Sequence, residues 1–482
     1  MTASLARLVL PSLRWRPSGG GFAHERGQID AALAAGVGGF IVFGGSRETV
    51  SALTRDLTAQ AGRPLLIGAD LERGAAQQVQ GLTELPPPAA LGFLDDLDAS
   101  HAAGLITATE ARSVGIAWAF GPVCDLDLEP RNPIVQTRSF GADPLRVGEH
   151  AAVWIRGCQE HGVLACAKHY PGHGRTTVDS HETLPRVTTP AAELQRVDGE
   201  PFEHAIRAGV GGVMTAHVAY PAWAPSGRAA TFDREIMGYL RDTLHFDGLV
   251  ATDALIMAGA TAQRAEAPAT VAAVAAGCDI LLYPQDFGAV AQALDRAVGR
   301  EIPVGRADEA LARYERAVNE WGRGKGEGGR VLPDFGAHGA FADRLADRAL
   351  HVLRGDAGAL RLGAPLSAPI VDDDVGGPYV MGARDVFHAT MREAGIEIGR
   401  RETGGGKRVV LVYAEPRSWK GRAWLGSRSL AALRRLAPGA ALVVLFGHPR
   451  LARQIPGTAP IVCAWHGQAL MQRAAARWVM RT

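Results

Sequence analysis

Short apolar runs alternate with amphipathic helical patterns over the first two thirds of the chain, and this alternation restricts the fold more than any other feature. Strands that read as continuous apolar runs between helices belong to a parallel sheet covered on both faces. Eight units of this kind predict a closed (β/α)8 TIM barrel, which we favour over an open doubly wound sheet. The eight runs are LARLVL (from Leu5), GGFIVF (Gly38), PLLIGA (Pro64), IAWAFG (Ile116), VLACAK (Val163), GGVMTA (Gly211), LVATDA (Leu249) and DILLYP (Asp279).

The pattern changes after about residue 318. The next segment, 319–333, is rich in glycine and charge and has no apolar period, which is typical of a linker. Further apolar runs then alternate with helical stretches, starting at Pro369, Arg408, Ala441 and Pro460. We therefore predict a barrel domain over 1–318, a linker over 319–333 and a smaller, sandwich-like α/β domain over 334–482.

Charge and cysteine content restrict the partners and the compartment. Lysine plus arginine (51) nearly balances aspartate plus glutamate (50) without a basic run, which argues against a nucleic-acid partner. No apolar segment reaches the roughly 20 residues of a membrane span, and the N-terminal stretch lacks the features of a signal peptide. The five cysteines are odd in number and scattered, which favours reduced thiols. We expect a cytoplasmic protein; its oligomeric state is not determined.

Polar side chains follow five consecutive apolar runs. Side chains directly after barrel strands project from the carboxyl-terminal rim, where barrel enzymes build their sites. Any one of these residues alone is better explained as a solvated loop residue, but their convergence predicts a functional rim. They are Asp70, Asp125, Lys168, His169, His217 and Asp253.

The loop after the fifth run, KHYPGHGRTTVDSHETLP over 168–185, is dense in titratable groups. Its glycines allow the chain to fold sharply back over the rim. Asp179 and His181, one residue apart, then form a candidate pair in which the carboxylate fixes the imidazole tautomer for proton transfer. A simple turn or helix cap also accounts for an Asp-Ser-His triplet.

Asp253, in VATDAL, follows an apolar strand directly, where surface solvation does not explain a carboxylate. A carboxylate facing a proton donor across a pocket is the arrangement of glycoside cleavage. Asp70, Arg138 and Lys168 offer charge-assisted hydrogen bonds that suit a polyol. The residues therefore indicate a small carbohydrate as the substrate.

Longer motifs resemble glycoside hydrolase family 3, and specifically its bacterial β-N-acetylglucosaminidase (β-N-acetylhexosaminidase) branch. KHYPGHGRTTVDSH resembles the family's histidine-rich loop. GADLERG, LPPPAALG, TRSFGADP, VMTAHVAYP and FDGLVATDALIMAGA extend the resemblance over about residues 5–318. The resemblance implies a retaining, exo-acting hydrolase of terminal N-acetylated amino sugars that needs neither a metal nor an organic cofactor. The role that it implies is cell-wall (peptidoglycan) turnover.

The resemblance also implies roles for individual residues. Asp253 is the expected nucleophile, and His181 the general acid/base assisted by Asp179. Most other branches take this acid from a glutamate on a later domain, so the Asp-Ser-His loop distinguishes the branch. The residues expected to bind substrate are Asp70, Arg138, Lys168, His169, His217 and Asp125.

The sequence departs from the family pattern in one loop, and alternatives stay open. DLERGAAQQV lacks the arginine expected near Gln78 and has Arg73 where glycine is common, which affects the expected sugar specificity. A phosphorylase of the same family and a β-glucosidase or β-xylosidase are the main alternatives. A metal-dependent barrel hydrolase, with ligands among His169, His173, Asp179 and His181, and a non-catalytic sugar-binding protein are weaker ones.

Overall fold

The computed structural model describes residues 4–261, 264–322, 332–356, 366–376, 382–399 and 407–481. Two compact units make up the chain. The barrel unit consists of Met1–Thr83, Leu97–Leu128 and Ala142–Phe335, and the C-terminal unit of Glu84–Asp96, Glu129–Gly141 and Gly336–Thr482. The second unit is therefore discontinuous in sequence, because segments 84–96 and 129–141, which the sequence assigned to the first domain, belong to it.

The strands and helices follow the predicted alternation. The strands are β1 (Val9–Leu10), β2 (Ser12–Arg14), β3 (Gly39–Phe43), β4 (Leu66–Ala69), β5 (Trp118–Ala119), β6 (Leu164–Tyr170), β7 (Gly212–Thr215), β8 (Leu249–Ala251), β9 (Leu281–Leu282), β10 (His351–Arg354), β11 (Leu366–Ser367), β12 (Ile370–Asp372), β13 (Ile398–Gly399), β14 (Lys407–Ala414), β15 (Leu442–Gly447) and β16 (Ile461–Cys463). The helices are α1 (Arg26–Ala35), α2 (Arg47–Ala61), α3 (Pro88–Leu94), α4 (Leu97–Ser113), α5 (Pro144–Glu160), α6 (Ala191–Glu193), α7 (Glu200–Arg207), α8 (Arg234–Gly238), α9 (Ala258–Thr261), α10 (Glu266–Ala276), α11 (Phe287–Ala297), α12 (Val304–Trp321), α13 (Phe335–Ala349), α14 (Val386–Glu393), α15 (Ser427–Leu436) and α16 (Ala469–Arg481). Within these described ranges, no helix has the length and apolar content needed to cross a membrane.

Parallel strands form the centre of the barrel unit. They pair in the order β2-β3-β4-β5-β6-β7-β8, and β9 pairs in parallel with β1. An isolated parallel bridge between Ala251 and Ile280 connects β8 to the β9 segment. β1 ends the first apolar run, and β2 follows that run after Pro11, which has no N–H to donate to a neighbouring strand. The predicted parallel, barrel-like α/β arrangement is confirmed.

The helix α12 extends further than the sequence analysis expected. Its buried side chains include Tyr314, Ala317, Val318 and Trp321, which keep the helical spacing of three and four residues. The assignment of residues 319–321 to the linker is therefore wrong. Residues 323–331 of the predicted linker lie outside the described residues.

A seven-stranded sheet forms the centre of the C-terminal unit, in the order β10-β16-β15-β14-β11-β13, with β12 also paired to β14. All pairs are parallel except β10 with β16. Val410 and Val412 of β14 pack with Leu433 of α15 in one core cluster. Tyr413, on the opposite face of the strand, donates from Oη to Gln472 Oε1 of α16 at 3.0 Å. Helices therefore cover both faces of this sheet.

A buried carboxylate stabilises the approach of β8 to β9 in the barrel unit. Asp279 accepts hydrogen bonds from the Val250 N–H at 2.9 Å and from Arg241 Nη2 at 2.5 Å, and it also pairs with Arg306. Its side chain is fully buried. Removal of one member of a buried ion pair leaves the others uncompensated, which costs about 3–5 kcal/mol.

We therefore expect Asp279→Asn to lower the thermal midpoint of the protein by about 5 °C or more, measured by calorimetry or circular dichroism. Asp247→Asn is the matched control, because Asp247 also pairs with arginine (Arg313) but its side chain is 76% exposed. Exposed pairs contribute about 0–1 kcal/mol, so this control should change the midpoint little. Equal midpoints for the two variants would contradict this account of Asp279.

Candidate active site

The parallel strands of the barrel unit bring the predicted rim residues together. Asp70 follows β4, Lys168 and His169 lie in β6, and Asp253 follows β8. The pairing of β6 with β7 shifts between Lys168 and Tyr170, so His169 is an extra residue at the end of the strand. Carboxyl ends of parallel strands share one rim, and these side chains therefore face a common space.

The Asp253 carboxylate lies near three histidines. Burial raises the pKa of Asp253, but His169, His217 and His181 act against it, together with the N–H of the next residue, and the pKa falls to about 2. That N–H, from Ala254, donates to Oδ1 at 2.7 Å. The residue is only partly buried, and within the described residues it forms no ion pair. Asp253 is therefore an ionised carboxylate that a ligand can reach.

The glycines of the β6 loop provide the predicted reversal of the chain. Gly172 has φ +133°, a conformation that side chains with a Cβ rarely adopt. A Cβ at Gly174 would lie only 1.9 Å from the Leu126 carbonyl oxygen, so the loop passes directly against the segment after β5. Tyr220, after β7, donates from Oη to the Gly172 carbonyl at 2.7 Å. The loop is thus fixed by the segments after both neighbouring strands.

Asp179 and His181 form the predicted pair at the end of this loop. His181 Nδ1 lies 2.7 Å from Asp179 Oδ1, and the His181 backbone N–H donates to the same oxygen at 2.9 Å. Because a carboxylate only accepts, the ring proton lies on Nδ1 and leaves Nε2 to exchange protons. The Asp179 side chain is fully buried, whereas that of His181 is 40% exposed. The His181 imidazole is therefore oriented and accessible. The alternative role of the Asp-Ser-His triplet, as a turn or helix cap, is compatible with this arrangement.

The Asp-Ser-His segment is fastened to the chain that follows Asp253. The Gly259 N–H donates to the Ser180 carbonyl at 2.9 Å, and the Ala258 N–H to the His181 carbonyl at 3.4 Å. A Cβ at Gly259 would lie 2.9 Å from the His217 carbonyl oxygen and 3.0 Å from that of Ser180. Gly259 therefore allows three rim segments to approach, a role that the sequence analysis missed because it depends on contacts distant in sequence.

Gly259→Ala should consequently displace the Asp-Ser-His segment from the rim. A misplacement of about 1 Å reduces catalysis by up to about 10²-fold, so we expect kcat/KM to fall at least about tenfold. Gly305→Ala is the matched control, since an added Cβ there has nothing within 4 Å. Steady-state kinetics on both variants tests this, and unchanged kinetics for Gly259→Ala would contradict the packing argument.

Lys168 is buried in an ion-pair network. Its Nζ lies 2.8 Å from Asp70 Oδ1 and 2.7 Å from Glu72 Oε1. Asp70 is partly exposed, while Glu72 is nearly buried. Lys168 thereby holds Asp70 at the rim. The second carboxylate oxygen of Asp70 is available to a hydroxyl group. Glu72 was missed from the sequence, although its position two residues after Asp70 is a usable signal.

Asp125 orients His169 through hydrogen bonds. Asp125 Oδ2 lies 2.7 Å from His169 Nδ1, and Oδ1 accepts the backbone N–H groups of His169 and His173 at 3.2 and 2.6 Å. Burial raises the pKa of Asp125, but the neighbouring His169 lowers it below the ordinary value. The predicted substrate-binding residue Asp125 is thus engaged by the protein itself, with His169 next to the rim.

His217 is oriented through both ring nitrogens. Nε2 lies 3.2 Å from the Ala254 carbonyl and must donate, so Nδ1 accepts from Thr231 Oγ1 at 2.8 Å. Burial lowers the pKa of His217, which keeps the ring neutral at pH 7 despite nearby Asp253. His217 therefore positions the chain next to Asp253, and Thr231 is a further residue missed from the sequence.

Two further residues of the sequence analysis are described by their local contacts. Arg138 is not in the barrel unit: it ends a short 3-10 helix, Gln136–Arg138, in the C-terminal unit. Gln78, at the position where the family has an arginine, accepts the Gly44 N–H at 3.1 Å. The Gln78 amide thus stabilises a loop of the barrel unit.

The histidines of the metal alternative have separate partners. His169 pairs with Asp125, while His173 contacts Ser180 Oγ at 3.0 Å. His181 pairs with Asp179. In the part of the chain that the structure describes, no three His, Cys, Asp or Glu side chains are grouped to hold a metal ion.

Comparison with known proteins identifies the family of the chain. A family model described as the glycosyl hydrolase family 3 N terminal domain matches residues 20–317, more than half of the chain. The fold and the match define the chain as a glycosidase. It belongs to glycosyl hydrolase family 3, and the resemblance drawn from the sequence motifs is confirmed.

Individual relatives extend the similarity beyond the barrel. A beta-N-acetylglucosaminidase/beta-glucosidase of Cellulomonas fimi is 33% identical over 399 residues, which are 77% of this chain and 70% of that protein. A beta-hexosaminidase of Chromobacterium violaceum is 36% identical over 337 residues, 67% of this chain and 90% of its own length. The structure of a family 3 beta-N-acetylglucosaminidase from Paenibacillus sp. str. FPU-7 has a TM-score of 0.86 at 25% identity, covering 100% of this chain and 97% of that one.

Proposed function

We propose that the protein is a retaining, exo-acting glycosidase that removes terminal β-linked N-acetylglucosamine from its substrate. In this proposal the reaction takes place at the rim of a closed (β/α)8 barrel. The observation that carries the proposal is the oriented Asp179–His181 pair fastened beside the partly exposed Asp253 carboxylate. The names of the relatives, beta-hexosaminidase and beta-N-acetylglucosaminidase, support the substrate class.

The proposed reaction is a double displacement. In the first step the Asp253 carboxylate attacks the anomeric carbon, and a proton on His181 Nε2 passes to the departing oxygen. In the second step His181 takes a proton from a water molecule, which attacks the same carbon and releases Asp253. Asp179 stabilises the imidazolium through Nδ1–H, while Asp70 accepts a hydrogen bond from a sugar hydroxyl.

A histidine acid has an electrostatic rationale beside this nucleophile. A second carboxylate close to the Asp253 carboxylate would disfavour the ionised state of one of them. A cationic imidazole instead favours the ionised nucleophile, as the lowered pKa of Asp253 reflects, and a neutral imidazole adds no like charge. Because the imidazole carries no negative charge, it would also repel an incoming phosphate anion less than a carboxylate would. The phosphorylase alternative therefore needs its own test.

A substrate panel tests the proposed function. Nitrophenyl N-acetyl-β-glucosaminide should be cleaved in preference to the β-glucoside and the β-xyloside, with free N-acetylglucosamine as product. The same assays with added inorganic phosphate distinguish the phosphorylase, which would release a glycosyl phosphate. Preference for the β-glucoside, or a glycosyl phosphate as the main product, would contradict the proposal.

The ionisation of Asp253 gives a prediction for the pH profile. Its pKa of about 2 lies below the ordinary value of 3.8, so the nucleophile stays charged on acidification and is lost only as the pH falls through about 2. We expect kcat/KM for an activated aryl glycoside to stay within about twofold between about pH 6 and pH 4. Activity regained on return to neutral pH controls for unfolding. A reversible loss centred at pH 4 or above would contradict the assignment.

The cell-wall role and the cytoplasmic location are also proposals. All five cysteines are free and buried, which suits a reducing compartment. Fractionation of cells that express the native protein, followed by assay of each fraction on muropeptide fragments, tests both. Activity confined to an extracytoplasmic fraction, or no cleavage of such fragments, would contradict them.

A further inference from the structure

A second concave site lies on the barrel unit, and one of its lining residues, Phe232, stacks on the rim residue His217. It is a groove of about 690 Å³ formed by α10, α11 and the segments around them. Among the described residues, five arginines line it, and Glu301 is the single acidic one. The groove arginines are Arg228, Arg234, Arg264, Arg296 and Arg300.

The groove arginines carry unneutralised charge. Among the described residues, none of the five forms an ion pair; Arg234 Nε donates to the Ala275 carbonyl at 3.1 Å and Arg296 Nη2 to Gln292 Oε1 at 2.9 Å. The chain as a whole has 51 basic and 50 acidic residues, so this excess is local. Like charges in one concavity repel, and a bound anion would relieve that repulsion.

The floor of the groove is apolar. Phe232, Val271 and Ala272 line it, together with alanines of α10 and α11. Arg264 lies over the Phe232 ring with its guanidinium carbon 6.0 Å from the ring centroid. A volume of this size and an apolar floor with a few charged groups are typical of small-molecule sites.

We propose that this groove binds a small organic anion that carries two or more phosphate or carboxylate groups on an apolar or aromatic body. The guanidinium groups would bind the anionic groups, because their planar geometry allows two parallel hydrogen bonds to each. The alanine floor and Phe232 would contact the body of the ligand. The proposed glycosidase reaction uses none of the groove arginines.

Isothermal titration calorimetry with ADP as the probe tests this site. ADP carries two phosphates and an aromatic body, adenosine lacks the anion, and pyrophosphate lacks the body. We expect ADP to bind with a Kd below about 1 mM at low salt and more weakly at higher salt, and more tightly than either fragment.

Charge reversal within and outside the groove supplies the matched comparison. The double variant Arg296→Glu/Arg300→Glu should bind ADP at least about tenfold more weakly. The control Arg55→Glu/Arg156→Glu changes net charge equally on exposed residues of α2 and α5 and should bind like the unchanged protein. Thermal midpoints establish that both variants fold.

Several outcomes would overturn the proposal. They are no ADP binding to the unchanged protein, equal weakening in both double variants, and adenosine binding as tightly as ADP. None of these measurements involves glycoside cleavage. A negative result would therefore overturn the groove proposal and leave the proposed function unaffected.

Discussion

Replacement of Asp253 by alanine is expected to lower kcat by about 10⁴-fold or more on every β-glycoside that the protein cleaves. The carboxylate is ionised, partly exposed and directly after β8, where the strand fixes its direction. Without it, no protein group attacks the anomeric carbon. Steady-state rates on nitrophenyl N-acetyl-β-glucosaminide measure the loss.

Azide gives this variant a specific signature. A small anion can occupy the space of the missing carboxylate and attack the same face of the sugar, which would restore turnover of a substrate with a good leaving group. The product should be the α-glycosyl azide, identified by NMR. Asp308→Ala, at an exposed residue of α12, is the control and should keep full activity. A β-glycosyl azide, or activity close to that of the unchanged protein, would contradict a nucleophilic Asp253.

Replacement of His181 by alanine should separate substrates by their leaving groups. Protonation of the departing oxygen contributes about 10²–10⁴-fold when the leaving group is poor and little when it departs unaided. We expect kcat/KM to fall about 10³-fold for an alkyl or disaccharide substrate and less than about tenfold for a dinitrophenyl glycoside. The ratio of the two rates is therefore the diagnostic quantity.

His101→Ala is the matched control for His181. His101 is a partly exposed histidine of α4 that also faces a carboxylate, with Nε2 3.3 Å from Glu160 Oε2. Its removal should leave the rates on both substrates unchanged. An equal loss on both substrates for His181→Ala would indicate a structural role and contradict the acid/base assignment.

Local patterns in the sequence were sufficient to predict the strands and the residues that end them. β8 is buried along its whole length and reads as an uninterrupted apolar run, and β6, also buried throughout, does so up to Lys168. A carboxylate directly after such a run, as at Asp253, has a direction that the sheet determines. The pairing of Asp179 with His181 was likewise predictable, because the two residues are close in sequence.

Contacts between distant segments were not predictable from one sequence. Glu72 and Thr231 act through Lys168 and His217, partners far along the chain. Gly259 matters only because other rim segments pass within 3.0 Å of where its Cβ would be. No periodicity marks such positions.

The same reason explains the error in domain organisation. Arg138 and the segment 84–96 follow barrel-type patterns in sequence but belong to the C-terminal unit. Unit membership depends on which residues they pack against. The predicted linker, by contrast, starts too early, at residue 319. The glycines after Trp321 favoured a linker there, although the apolar spacing of α12 continues to Trp321.

Covalent trapping of the glycosyl-enzyme tests the central claim most directly. A fluorinated glycosyl fluoride of N-acetylglucosamine slows release of the intermediate, and peptide mass spectrometry then locates the sugar. The account predicts one sugar per chain, attached to the peptide that contains Asp253. A sugar on a different residue, or rapid inactivation without any covalent adduct, would contradict it.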